Sequence, residues 1–205
     1  MTKKFELTDE TIMRNGIILY RIKALIDFNN LKAGDLGGFV EKENNLNQTG
    51  NSWVYNDARV YGNARVSGDA VISENARVYG NAIVSGDAVI SGDARVSENA
   101  RVYGNARVFG NVMISEDARV SCDSDYILIK GVGSNYRNTT FFKTKTENIN
   151  VICGCFRGNL SEFENKVRET HGNTKFAREY LAAISMVKIH FEIDNWIIVY
   201  NTKEE

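Results

Sequence analysis

Arg59, Arg77 and Arg95 stand eighteen residues apart, and Tyr61 and Tyr79 each follow one of them two positions later. Arginine presents a planar fork of N–H donors that fits phosphate or carboxylate, and it stacks on aromatic rings; lysine does neither as well. Between Ala58 and Asp123 there are seven arginines and no lysine. Guanidinium groups beside tyrosine rings on a rigid wall suit an anionic, base-bearing small molecule of nucleotide type. The competing reading pairs these arginines with Asp57, Asp69, Glu74, Asp93 and Glu98 and leaves them a surface role. A second group lies nearer the C-terminus. Ser134, Tyr136, Arg137, Thr139, Thr140 and Arg157 fall in or beside "GVGSNYRNTTFF" and "GCFRG". Glycine-rich turns expose backbone N–H groups to anions. With His171 and Lys175 they make a second candidate phosphate pocket, although neither stretch spells a Walker or dinucleotide fingerprint.

Other chemistries find little footing. The only histidines are His171 and His190. His171 falls in line with Phe163 and Val167 at four-residue spacing, which reads as a packed or capping histidine, with a general base as the alternative. Cys122, Cys153 and Cys155 are an odd set without framework spacing, as expected in a reducing cytosol. Cys153-Gly154-Cys155 reads as buried thiols rather than a metal or redox pair, and no metal or cofactor is expected. A net charge of −1 gives no bulk electrostatic grip on DNA or RNA. There is no apolar run of about 18 residues, and "MTKKFELTDE" lacks the apolar core of a signal peptide. A cytoplasmic protein without membrane contact is expected.

The elements that position these residues follow from a repeat. Alanine recurs every six residues from Ala58 to Ala118, with Val112 standing in once, and Val or Ile follows two positions after each. Gly-Asn, Gly-Asp, Glu-Asn or Glu-Asp separates the units. A period of six smears the valines around an α-helix, whereas a short strand and a tight corner accommodate it. Gly, Asn and Asp tolerate the left-handed backbone of a corner. Three units close a triangular coil, with Ala and Val inside. The predicted coil spans residues 46–123, a little over four turns and about 20 Å tall at ~4.8 Å between strands.

Steps of eighteen sort the outward residues onto three walls. One carries Arg59, Arg77, Arg95 and Met113. A second carries Arg65, Ile83, Arg101 and Arg119. The third carries Trp53, Val71, Val89 and Arg107, flanked by Tyr55 and Phe109, an apolar stripe that needs the tail domain or another subunit as cover.

The spacing of Val60 to Ala64, Val66 to Ala70 and onward resembles the hexapeptide-repeat, left-handed parallel β-helix family. The resemblance implies the left hand, and a homotrimer with parallel axes. Members are often acyltransferases with a histidine base on the coil, yet residues 1–170 contain no histidine. The arrangement of "GDLGGFVEKE" before the repeat and "GCFRG…THG" after it looks like uncharacterised phage or prophage proteins, which implies a viral context.

The flanks complete a mainly β chain of three parts. Residues 1–45 are an N-terminal cap, with "GIILYRIKALIDF" as strand and "KAGDLGGFV" as a turn into the coil. Residues 124–205 form a small α+β domain. Its strands are "DYILIKGVG", "TTFFKTKTENINVICGCF" and "NWIIVY". One helix is capped by Ser161 with Glu164 and ended by Gly172; the other buries Phe176, Tyr180, Leu181 and Ile184. The leading functional expectation is a non-catalytic binder that sequesters an anionic, nucleotide-like host signal. The alternatives are a structural module whose tail docks a partner, and an enzyme, either a degenerate acyltransferase or a phosphodiesterase.

Overall fold

Each hexad folds as one short strand and one corner. The structure, a computed structural model, describes residues 2–193. Strands β1 (Phe5–Arg14), β2 (Ile17–Ala24) and β3 (Leu36–Val40) precede twelve two-residue strands, β4 (Trp53–Val54) through β15 (Arg119–Val120). The alanine and the aliphatic residue of every hexad from Ala58 to Val120 are at most 1% exposed. Alternation along an extended strand turns the residue between them outward.

Strands eighteen residues apart stack in parallel. The first wall stacks β5 (Arg59–Val60), β8 (Arg77–Val78), β11 (Arg95–Val96) and β14 (Met113–Ile114). The second stacks β6 (Arg65–Val66), β9 (Ile83–Val84), β12 (Arg101–Val102) and β15, and the third β4, β7 (Val71–Ile72), β10 (Val89–Ile90) and β13 (Arg107–Val108). The left-handed corner residue is a glycine in most hexads, such as Gly62 and Gly80; Glu74, Glu98 and Glu116 take its place elsewhere. The Asn or Asp that follows is not the left-handed one, contrary to expectation. Asn63, Asn81 and Asn99 instead link into a ladder at 3.1 and 3.2 Å.

The coil makes about five turns rather than four, because it begins inside the segment assigned to the cap. Phe39 and Val40 pair in parallel with Arg59 and Val60, and Leu46 bridges to Val66. These first steps are twenty residues long, so a fixed period misses them. Gly37 and Gly38 cross the coil mouth against other backbone. A Cβ on Gly37 would lie 2.6 Å from the Val54 carbonyl, and one on Gly38 2.6 Å from that of Ala58. The β1–β2 hairpin extends the first wall into a sheet of order β1-β2-β3-β5-β8-β11-β14.

Trp53 is fully buried within its own chain, and its cover is the N-terminal segment rather than the tail: Phe5 and Phe28 pack edge-on against its ring at 6.2 and 5.4 Å. Further along that stripe, Val71 and Val89 are half-buried and Phe109 is exposed.

At the other end follow β16 (Tyr126–Val132), β17 (Arg137–Lys143), β18 (Ile149–Cys153) and β19 (Phe156–Asn159), an antiparallel meander. Both faces of this sheet are buried. Phe142 and Ile152 join the coil interior and close its last turn. Phe141, Val151 and Cys153 face α1 (Leu160–His171) and α2 (Lys175–His190). The capping box of α1 sits two residues earlier than expected, between Asn159 and Glu162, with both bonds at 2.9 Å. Gly172 ends the helix, as its position suggests. In α2, Tyr180 and Ile184 are buried together with Ala177 and Val187, whereas Phe176 and Leu181 are half-buried. The strand expected at "NWIIVY" lies outside the described residues.

Candidate functional site

The cross-strand register of the first wall is Phe39–Arg59–Arg77–Arg95–Met113, so the predicted arginine column forms. Its expected carboxylate partners do not. Among the described residues none of the seven coil arginines makes an ion pair. Arg119 donates to the Ala118 carbonyl at 2.7 Å. The Arg59 Nε is buried without a hydrogen-bond partner. Burial first, then repulsion from Arg14 and Arg77, pushes its guanidinium below the usual arginine range, with Asp57 and Tyr61 pulling the other way.

The C-terminal sheet docks beside this column. Arg157 donates to the Ser115 hydroxyl at 2.9 Å and pairs with Glu98 at 3.1 Å. Thr140 Oγ1 accepts from the Met113 N–H at 3.3 Å, and Lys145 N–H donates to the Asp117 carbonyl at 2.9 Å. Asn150 donates to the Glu116 carboxylate.

Between coil and sheet lies a cleft of about 540 Å³. Arg77, Arg95 and Met113 form its coil wall, and Asn75, Asp93 and Asn111 its corner column. Arg137, Asn138, Thr140, Ile152 and Gly154 form the opposite side. Gly154 has φ +61°, and a Cβ there would fall 1.8 Å from the Arg137 guanidinium, so only glycine leaves room for that side chain. Among the described residues Arg137 makes no ion pair either, so three arginines without a salt-bridge partner line one cleft together with Asp93. Forked guanidinium donors of this kind match the geometry of phosphate or carboxylate oxygens.

Other expected residues fall elsewhere. Tyr61 and Tyr79 sit past the opposite corner, outside the cleft lining, and stack on each other at 5.1 Å and 4°. Burial, and the neighbouring Tyr79, push the Tyr61 hydroxyl above its usual range against the pull of Arg77, Arg95 and Arg59. Arg157 is a clasp between tail and coil. Tyr136 is exposed at the β16–β17 turn, with φ +49°. Ser134 and His171 line a smaller cavity of about 290 Å³ on the helix side of the sheet, which also touches Arg137, Cys153 and Tyr180. Thr139 is buried on that side and donates to Cys153 Sγ at 3.2 Å. His171 stacks on Tyr180 at 5.6 Å, the packed role rather than a capping one. Burial, then the Cys153 contact, raises the Tyr180 hydroxyl. Cys153 is buried as expected, but Cys122 is half-buried and Cys155 exposed. The left-handed Gly154 separates Cys153 and Cys155.

The cleft residues missed at sequence level had a signal. Steps of eighteen applied to corners as well as strands collect Asn75, Asp93 and Asn111. Thr140, one of the expected tail residues, reaches the cleft because alternation along "TTFF" puts it on the coil side with Phe142.

Residues 58–74, 76–92, 88–104 and 100–116 each match the YdcK beta solenoid repeat, so the coil is a β-solenoid built of repeats of that type. The chain is also similar to the Escherichia coli (strain K12) protein called "Uncharacterized acetyltransferase YdcK". The two are 38% identical over 52 residues, 25% of this chain and 16% of that protein's length. Among the described residues no helix is long and apolar enough to cross a membrane, and no three His, Cys, Asp or Glu side chains gather as metal ligands.

Proposed function

We propose that this is a non-catalytic binding protein whose cleft between solenoid and C-terminal sheet takes an anionic, nucleotide-type small molecule. The observation that carries this reading is the convergence of Arg77, Arg95 and Arg137 on one cleft, none of them in an ion pair among the described residues. Asp93 and the flanking asparagines supply acceptors and donors for hydroxyl or amino groups of the same ligand. In the phage setting, such a protein acts in the host cytoplasm and sequesters a nucleotide signal, as a homotrimer. The tyrosine pair supports the wall and does not contact the ligand.

The test is calorimetry with a panel of linear and cyclic nucleotides on wild type, Arg77→Ala, Arg137→Ala and Arg157→Ala. Binding by wild type that is weakened in the first two variants supports the cleft. Loss only in Arg157→Ala with its melting point unchanged moves the site. No binding by wild type leaves a structural module, with the Arg157 clasp as its fixed joint.

Acyl transfer is the second reading and rests on the name of the YdcK relative. Transfer needs a base at the acceptor. Among the described residues Asp93 is the one carboxylate lining the cleft, and no histidine lines it.

A further inference from the structure

We propose that the cleft selects a short linear chain of phosphates, pyrophosphate to tripolyphosphate, laid along the solenoid axis; this rests on the cleft being an anion site. The coil arginines of this wall, none in an ion pair among the described residues, are in a row, not a ring. Arg59, Arg77 and Arg95 occupy successive rungs of one wall in strict register. Rungs are spaced by about 4.8 Å, so Arg59 and Arg95 stand roughly 9.6 Å apart at the backbone. A single phosphate group meets adjacent rungs but not both ends of such a row. A chain of phosphates places one anionic group against each guanidinium, and Arg137 closes on it from the sheet side.

The row has ends. Below Arg59, Phe39 takes the next rung, with Arg21 stacked on its ring at 4.4 Å and tied to Glu10 at 2.8 Å. Above Arg95, Met113 takes the next rung. The length therefore suits an oligophosphate rather than an indefinite polymer. The other walls have no such run: Ile83 interrupts Arg65 and Arg101, and Val71 and Val89 occupy the third. Arg59 also shows the strain that a ligand would relieve. Its Nε is buried and unpartnered, and Arg14 and Arg77 crowd it with like charge.

The experiment is calorimetry with inorganic phosphate, pyrophosphate, tripolyphosphate, AMP and ATP on wild type and on Arg59→Gln. Affinity should climb through the inorganic series, with tripolyphosphate at least about tenfold tighter than phosphate, as one added charged contact implies. ATP binding more tightly than tripolyphosphate marks the chain as the tail of a nucleotide; the reverse order marks it as free oligophosphate. Arg59 lies one rung beyond the cleft lining, so Arg59→Gln should weaken tripolyphosphate about tenfold or more and leave phosphate nearly unchanged. A thermal melt of that variant confirms folding. Equal affinity for phosphate and tripolyphosphate overturns the proposal, as does unchanged tripolyphosphate binding by a folded Arg59→Gln. AMP binding without tripolyphosphate binding overturns it while the anion cleft stands. Binding of none of the probes overturns both.

Discussion

Arg137 lines the same cleft as Arg77 and Arg95, three cations against the single carboxylate of Asp93, and an excess of like charge held together is relieved by an anion. Removing one forked contact to a charged ligand costs about 1.5–3 kcal/mol, or roughly ten- to a hundredfold in affinity. Arg77→Ala and Arg137→Ala should each show that loss by calorimetry with little change in melting temperature. Gly154→Ala tests the position rather than the charge. Its Cβ displaces the Arg137 guanidinium and strains a left-handed residue, so binding should fall although every arginine is kept. Arg157→Ala should behave differently, lowering the melting temperature because it breaks the clasp to Glu98 and Ser115. Assayed with acetyl-CoA and a panel of amine and hydroxyl acceptors, the protein should show no turnover, since no histidine stands in the cleft to take the proton.

At the scale of elements, each solenoid strand is held by its interior rung and each end by a cap. Val78 is fully buried between Val60 and Val96, so Val78→Asp puts a carboxylate where water cannot reach. An unpaired buried ion costs several kcal/mol against a typical stability of about 5–15, so the variant should fail to fold cooperatively by circular dichroism. The caps carry titrating anchors of opposite sign. Asp125 is raised by burial, but bonds from Lys143 and Ser121 outweigh that and hold it at about 2, below its ordinary 3.8. Its contribution is present above pH 3.8 and lost as pH falls from there toward 2. Lys4 is lowered from 10.5 to about 8 by burial, partly offset by Asp69, and donates to the Ser52 carbonyl at 2.9 Å. The unfolded chain holds that proton more tightly, so stability from this group rises as pH climbs from about 8 to 10.5. Urea melts of wild type, Asp125→Asn and Lys4→Met across pH should show each slope vanish with its residue.

For the whole molecule, Phe5 and Phe28 have claimed Trp53, but Val71, Val89 and Phe109 still reach the surface. Association along this wall would bury them. The expected particle is a trimer, read by light scattering as three times the 23.0 kDa chain mass; a single chain mass would reject it. Trp53 is buried within one chain, so its fluorescence should resist quenching even where dilution dissociates the particle. Anion binding by several guanidinium groups should also weaken steeply with added salt, because part of the attraction is screened within about 10 Å at 0.1 M.

The sequence by itself determined the solenoid. Its period of six places Ala and Val inside and Arg outside wherever a strand meets a corner, and steps of eighteen put Arg59, Arg77 and Arg95 on one wall. The first turn escaped because its twenty-residue steps, Phe39 to Arg59 and Leu46 to Val66, break the period. Only the tertiary structure decided which tail residues meet the column. Arg137 and Arg157 look alike in sequence, yet one lines the cleft and the other clasps Glu98. The difference lies in how the sheet docks on the last coil, where Phe142 and Ile152 enter the interior. That contact joins residues far apart in the chain, and no local spacing records it.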